Sequence, residues 1–286
     1  MSGRKKISGK HSSQPAFYRR RILGQHFLND QAIAGRIVGS LGPLEQAHVL
    51  EIGAGRGILS CRLAEQAARF TAIELDRGLS EALARKLKDN GKVTVLQQDV
   101  LEFDLDTWAA QCGPLTPVVA GNIPYRITSD LLHKLIGCHR HLARAVLMLQ
   151  EEVARKLTAE AGGKPYGMIS VLAGYRAARE YLFFVGRGNF SPSPGVDSAV
   201  VRLDFKAPEV AAAADEKLFE FMVRRLFRDR RKQVQKVLRT DPGFKLNAGR
   251  IRDLAAETGI DLSCRPEELS VEQFVALAES MAGSGG

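Results

Sequence analysis

The segment Gly121-Asn122-Ile123-Pro124-Tyr125 sets a carboxamide, a backbone carbonyl ahead of a proline and an aromatic ring side by side. An amide oxygen and a neighbouring carbonyl are the two acceptors needed to bind both hydrogens of an exocyclic aromatic amine. The amine of adenine is a poor nucleophile because its lone pair is delocalised into the ring. Holding both hydrogens draws that pair out of conjugation and aims it at an electrophile, and positioning then supplies much of the rate. The side-chain oxygen of Asn122 and the carbonyl of Ile123 are the natural pair. Pro124 biases Ile123 towards an extended conformation and brings no competing N–H, and Tyr125 offers a face on which a base can stack. A base reached in this way is swung out of its helix or presented in an open loop. The same residues could form an ordinary strand-to-helix turn, so the reading depends on what precedes them.

What precedes them is Gly53-Ala54-Gly55-Arg56-Gly57, placed after a short apolar run and before a helical pattern, where open α/β sheets bind nucleotides. The dinucleotide fingerprint needs glycine at its first, third and sixth positions; here the sixth is Ile58, which counts against a nicotinamide or flavin. Glycines in this spacing permit close backbone approach by a ligand without a pyrophosphate, as S-adenosylmethionine requires. Glu74 follows at about the twenty-residue distance at which an acid meets ribose hydroxyls. Asp99, ending the next strand, is placed to accept from an adenine amine. Gly53, Gly55, Glu74 and Asp99 are therefore the cofactor candidates. Further on, Phe190 stands in the proline-rich stretch 190–196 as a second stacking wall for the base or, alternatively, a packing plug.

These residues need a frame. Strands are predicted over 48–52, 70–75, 93–97, 118–122 and 145–149, with helical stretches over 58–67, 79–88, 128–136 and 151–158 between them. A further helix carries Ile33, Ile37, Val38 and Leu41 behind a capping Asp30. Strand and helix alternating at this spacing predict an α/β fold with a doubly wound, Rossmann-like sheet. Extended segments at 180–185 and 198–205 would close its edge as an antiparallel pair. After Lys206 the pattern turns to Ala- and Arg-rich helices over 215–227, 230–239, 248–258 and 271–281. The expected organisation is a flexible basic arm over 1–20, a catalytic unit over 21–206 and a small all-helical unit over 207–286.

The 286 residues, 45% hydrophobic, suffice for one sizeable core and a smaller second unit. No apolar run approaches the roughly 20 residues that span a bilayer, and the basic first 30 residues lack the apolar stretch of a secretory signal. A soluble cytoplasmic protein, expected to be monomeric and without membrane contact, follows. Cys61, Cys112, Cys138 and Cys264 are scattered, with no metal-ligand spacing and no metal expected. The formal charge of +9 is localised: seven cations and no acid precede Asp30, and eight cations with Asp229 as their only acid lie between Arg224 and Arg239. The remainder is net acidic. Clustered cations are the footprint of a polyphosphate partner, with Arg224, Arg228, Arg230, Arg231 and Lys232 the candidate RNA contacts, although solvated faces also collect them.

From about Arg20 onwards the sequence resembles the small-subunit ribosomal RNA dimethyladenosine transferases. The resemblance lies in Gly24-Gln25-His26-Phe27-Leu28-Asn29-Asp30, the Glu51–Gly57 loop, Glu74-Leu75-Asp76, Gln98-Asp99, Gly121–Tyr125, Leu149-Gln150-Glu151-Glu152-Val153, Tyr166-Gly167 and Phe190–Val200, in that order. It implies a class I methyltransferase sheet and S-adenosylmethionine-dependent dimethylation of the N6 amines of two adjacent adenosines. Those adenosines lie in the 3′-terminal hairpin of small-subunit (16S) rRNA, in an assembling subunit. It further implies that His26, Leu28, Gly53, Glu74, Asp99 and Asn122 line the cofactor site, and that Asn122, Tyr125 and Phe190 handle the base. The family usually has Asn where this chain has His26, which leaves the contact made there open. Two other functions share these features: large-subunit rRNA methylation of the macrolide-resistance type, and a non-catalytic assembly or transcription role on the same fold. The 149–153 and 190–200 segments favour the small subunit, and the intact Asn122–Tyr125 centre argues for catalysis.

Overall fold

A computed structural model of the chain describes residues 25–283; the basic arm expected over 1–20 and Gly24 lie outside the described residues. The alternating pattern folds into one seven-stranded sheet. Its parallel part runs in the order β4 (Val93–Gln97), β3 (Arg69–Glu74), β2 (Ala47–Ile52), β5 (Thr116–Asn122) and β6 (Arg144–Gln150). β9 (Ser198–Asp204) and then β7 (Ala178–Val185) extend it antiparallel, as the edge pair expected from the sequence. The chain winds from β2 through β3 to β4 on one side, and then places β5 and β6 on the other. Winding therefore reverses between β2 and β5, and the crevice at their C-terminal ends is where such sheets take ligands. Gly53 and Asn122 stand at those two ends.

β2 is buried along its whole length, because helices cover both faces of the sheet. Side chains alternate between the faces: Leu50 and Ile52 pack with Val119, Leu131 and Leu147, whereas Val49 packs with Leu63, Phe70 and Val146. Each such side chain contributes about 1.5–3 kcal/mol when fully buried, so the strands that carry the site are also the best anchored. Asp30 caps α1 (Gln31–Gly39) as expected, its Oδ1 accepting from the N–H groups of Ala32 at 2.8 Å and Ile33 at 3.0 Å.

Four elements stand where none is predicted. Helices form over Leu105–Ala110 and Met168–Arg176, and the two-residue strands β1 (Phe27–Leu28) and β8 (Phe190–Ser191) pair antiparallel, Leu28 opposite Phe190. The C-terminal helices Glu216–Arg228, Val234–Thr240, Ala248–Thr258 and Val271–Ala282 follow the expected spacing with one correction. The helix expected over 230–239 begins only at Val234. The first N–H groups of that helix are taken by tertiary acceptors, Val234 by Cys264 O and Gln235 by Leu262 O, both at 2.9 Å. Arg230, Arg231 and Lys232 consequently occupy a turn, not one face of a long helix. Phe219, Met222, Leu226 and Phe274 of these helices join the same hydrophobic cluster as Leu50 and Val119, so the helical region shares a core with the sheet.

Candidate active site

The loops after β2, β3, β4 and β5, together with the segment 25–27, line one cavity. It is walled by Gln25, His26, Gly53, Gly55, Glu74, Asp99, Asn122 and the residues that follow Asn122 as far as Ile127. The glycine-rich loop leaves β2 with Gly53 at φ +72° and Gly55 at φ +55°, a region costly for any other residue. Gly53 is also a point of close approach: a Cβ there would sit 3.3 Å from Asn122 O and 3.5 Å from Pro124 Cδ. The cofactor loop and the 122–125 motif are thus in direct contact.

Glu74 is buried at the cavity wall. Its carboxylate accepts from the Gly55 N–H and the Asp76 N–H, each at 2.8 Å. Burial raises its pKa above the ordinary carboxylate value, against the opposing pull of those two donors. Beside it, Gln25 Nε2 lies 3.5 Å from Glu74 Oε1, while Gln25 Oε1 is buried with no hydrogen-bond partner among the described residues. Asp99 anchors its own turn by accepting from Leu101 N at 2.9 Å.

Asn122 donates from Nδ2 to the backbone carbonyl of His26 at 3.0 Å. That bond fixes the amide's orientation, and Oδ1 is left as an acceptor. Ile123 donates its N–H to Met148 O at 3.1 Å, and Pro124 holds φ −57° and ψ 126° ahead of the short turn Tyr125–Ile127. The Tyr125 hydroxyl meets Ser198 Oγ at 2.8 Å, and its ring centroid lies 5.8 Å from that of His26. The His26 ring donates from Nδ1 to Pro192 O at 2.9 Å.

Two expected site residues are elsewhere. Phe190 and Leu28 are buried at 5% and 4% exposure and lie outside the cavity lining, because their β1–β8 pairing turns both into the core on the Val49 face. A ring this buried offers little face for stacking, which favours the packing-plug alternative for Phe190. Conversely, Gln25, Leu75, Gln98 and Arg126 line the cavity without having been singled out by type. Arg126, an exposed cation directly after Tyr125 with no carboxylate within 4 Å among the described residues, was the most legible of them. Glu51, beneath the glycine loop, is buried and accepts from Ser60 Oγ at 2.5 Å, and burial pushes its carboxyl up to about 8.

Of the five basic residues expected to meet RNA, four have acidic neighbours. Arg228 lies 2.6 Å from the buried carboxylate of Asp241, Lys232 2.8 Å from Asp229, Arg230 3.4 Å from Glu267 and Arg224 3.9 Å from Glu220. Arg228 is thereby tied into the fold, whereas the surface pairs of Arg230 and Lys232 are weak enough to exchange for phosphate. The described residues contain no cluster of ligands able to hold a metal ion and no helix long and apolar enough to cross a membrane.

The chain that builds this cavity has counterparts among known proteins. A ribosomal RNA small subunit methyltransferase A from Chlorobium phaeobacteroides (strain BS1) is 40% identical over 278 residues, 97% of this chain and 98% of that protein. The protein of the same name from Geobacter sulfurreducens is 36% identical over 269 residues, covering 93% and 96%. Among solved structures, the 23S rRNA methyltransferase ErmE superposes with a TM-score of 0.70 at 28% identity over 90% of this chain and 99% of that one. A dimethyladenosine transferase from Plasmodium falciparum gives 0.73 at 21% identity over 88% and 96%, a likeness of fold. With the family model for ribosomal RNA adenine dimethylase matching residues 16–283, the chain belongs to the ribosomal RNA adenine dimethylase family.

Proposed function

We propose that this protein transfers methyl groups from S-adenosylmethionine to the N6 amines of two adjacent adenosines in the 3′-terminal hairpin of small-subunit (16S) rRNA, on an assembling subunit. The observation that carries the reading is the orientation of Asn122: with Nδ2 spent on the His26 carbonyl, Oδ1 and the adjacent Ile123 carbonyl remain to take the two amine hydrogens. The names of the curated relatives favour the small subunit over the large.

The residues present suit the cofactor. Glu74, a buried carboxylate at the cavity wall, would hold the ribose hydroxyls, Asp99 the adenine amine, and Gly53 and Gly55 leave room for close backbone approach. Gln25 Oε1, buried without a partner among the described residues, would suit a further polar contact in the same cavity. The bound cofactor supplies an electrophilic sulfonium methyl. Asn122 and Ile123 orient the target amine towards it, Tyr125 holds the base, and the contact of Gly53 with the Asn122 carbonyl fixes the distance between loop and motif.

The turn 230–232 and the preceding helix would track the phosphate backbone of the subunit, with Arg231 the member lacking a carboxylate within 4 Å among the described residues. A monomeric, cytoplasmic enzyme fits this task. Adenosine dimethylation mapped in 16S rRNA from cells with and without the protein tests the proposal: both adjacent positions lose the modification in its absence, and unchanged modification refutes it.

A further inference from the structure

β9, held between β6 and β7, begins with a buried polar residue. Ser198 is fully buried and leads into the buried run Ala199-Val200-Val201. Its backbone lies in register with Gln150 on one side and Val185 on the other. The residue before it ties the strand's start down further: Asp197 O accepts from Glu151 N at 3.0 Å, and Asp197 Oδ1 accepts from Arg187 N at 2.9 Å. A buried hydroxyl destabilises such a place unless it is bonded. The partner of Ser198 is the Tyr125 hydroxyl at 2.8 Å, 73 residues away in the chain.

Tyr125 itself opens a single short turn that has no side-chain cap. The direction in which its ring projects depends on the first side-chain torsion, and anchoring the hydroxyl end, which lies on the ring's long axis, constrains it. We propose that Ser198 is a positioning residue: through the hydroxyl pair, the doubly paired strand β9 sets the direction in which the Tyr125 ring projects, and with it the place of the aromatic surface against which the target base rests. The inference rests on the reading above that Tyr125 faces the target base.

Ser198→Ala, Tyr125→Phe and the double variant test it. Each removes the same hydrogen bond, one from either end. Single-turnover methyl transfer to small ribosomal subunits at saturating S-adenosylmethionine is measured alongside cofactor affinity by calorimetry and the thermal midpoint. A misplacement of about 1 Å costs up to about 10²-fold in rate, so a ring freed but not removed is expected to lose about ten-fold. Each single variant falls by that factor, the double falls no further, and cofactor affinity is unchanged in all three. A merely structural bond would lower the midpoint and leave the transfer rate alone. If Ser198→Ala does not fold, Tyr125→Phe, which leaves the strand untouched, carries the test. Wild-type rates in Ser198→Ala or Tyr125→Phe, or losses that multiply in the double variant, overturn the positioning role. A wild-type protein that transfers no methyl group overturns the functional reading and this inference with it.

Discussion

Glu74→Ala and Asn122→Ala separate cofactor binding from amine activation. Glu74 Oε2 accepts from the Gly55 N–H and Oε1 from the Asp76 N–H, so its carboxylate both shapes the glycine loop and faces the cavity where the ribose would lie. Removing it forfeits hydrogen bonds of a charged acceptor to the ligand, about 1–3 kcal/mol, which is about 5- to 150-fold in the dissociation constant of S-adenosylmethionine. It also leaves two backbone donors without their acceptor. Each costs up to about 1–3 kcal/mol if water cannot replace the carboxylate, so the thermal midpoint falls as well. Asn122→Ala strands only the His26 carbonyl on the protein side and deletes Oδ1, which acts on the amine. The expected result is cofactor affinity near wild type with a methyl-transfer rate lower by about 10²-fold, the scale of losing one preorganised polar contact in a transition state. Calorimetric titration with S-adenosylmethionine and single-turnover transfer, run on both variants, give the two numbers for each. Equal losses of cofactor affinity would refute the division of labour.

Burial holds the Glu51 carboxyl at about 8 in the folded protein against 4.5 for its ordinary value. The folded state therefore keeps a proton that the unfolded chain loses, and stability declines as pH rises from the unfolded value through 8; Glu51→Gln, which retains a partner for Ser60, should flatten that decline in thermal midpoints taken from pH 5 to 9, and a parallel decline in the variant would contradict it. Phe190→Leu should lower the thermal midpoint by the equivalent of about 1 kcal/mol, as a reshaped buried site does; an unchanged midpoint with depressed methyl transfer would return the ring to the base. Reversing Arg230, Arg231 and Lys232 to Glu should weaken subunit binding and flatten its salt dependence by about one unit of slope for each lost phosphate contact, with cofactor affinity unchanged; an unaltered slope removes the RNA role of the turn.

The sheet was legible because its signal is local and repeated: β2, β3, β5 and β6 each read as a short apolar run followed by a helix whose apolar face recurs at helical spacing, and β4 as such a run alone. The glycine loop and the Asn122–Tyr125 motif were legible for the same reason, since each places its chemistry within a few adjacent residues. Met168–Arg176 was hidden by its environment. It is buried from Ser170 to Arg176, and a helix apolar on all sides shows no amphipathic period. β1 and β8 are two residues each and exist only because they find one another across the chain, so the burial of Phe190 had no local signature. The break before Val234 belongs to the same class: the spacing of cations continues past Asp229, but the acceptors that set the helix start belong to Leu262 and Cys264.

The position that departs from the family, His26, shows what kind of information a motif carries. Asn122 is oriented by the carbonyl of His26, a group every residue possesses, so the orientation of its amide does not depend on the side chain there. The ring is used separately, as a donor from Nδ1 to Pro192 O. An asparagine amide also carries an N–H donor, so the change from Asn to His preserves the hydrogen-bonding type on the side chain and the acceptor on the backbone. What the site demands of residue 26 is therefore its place in β1's lead-in, fixed by the pairing of Phe27 and Leu28 with Ser191 and Phe190. Phe190 lies outside the cavity lining, yet it packs the ribbon whose preceding carbonyl accepts from Asn122 Nδ2 and so sets the direction of Oδ1.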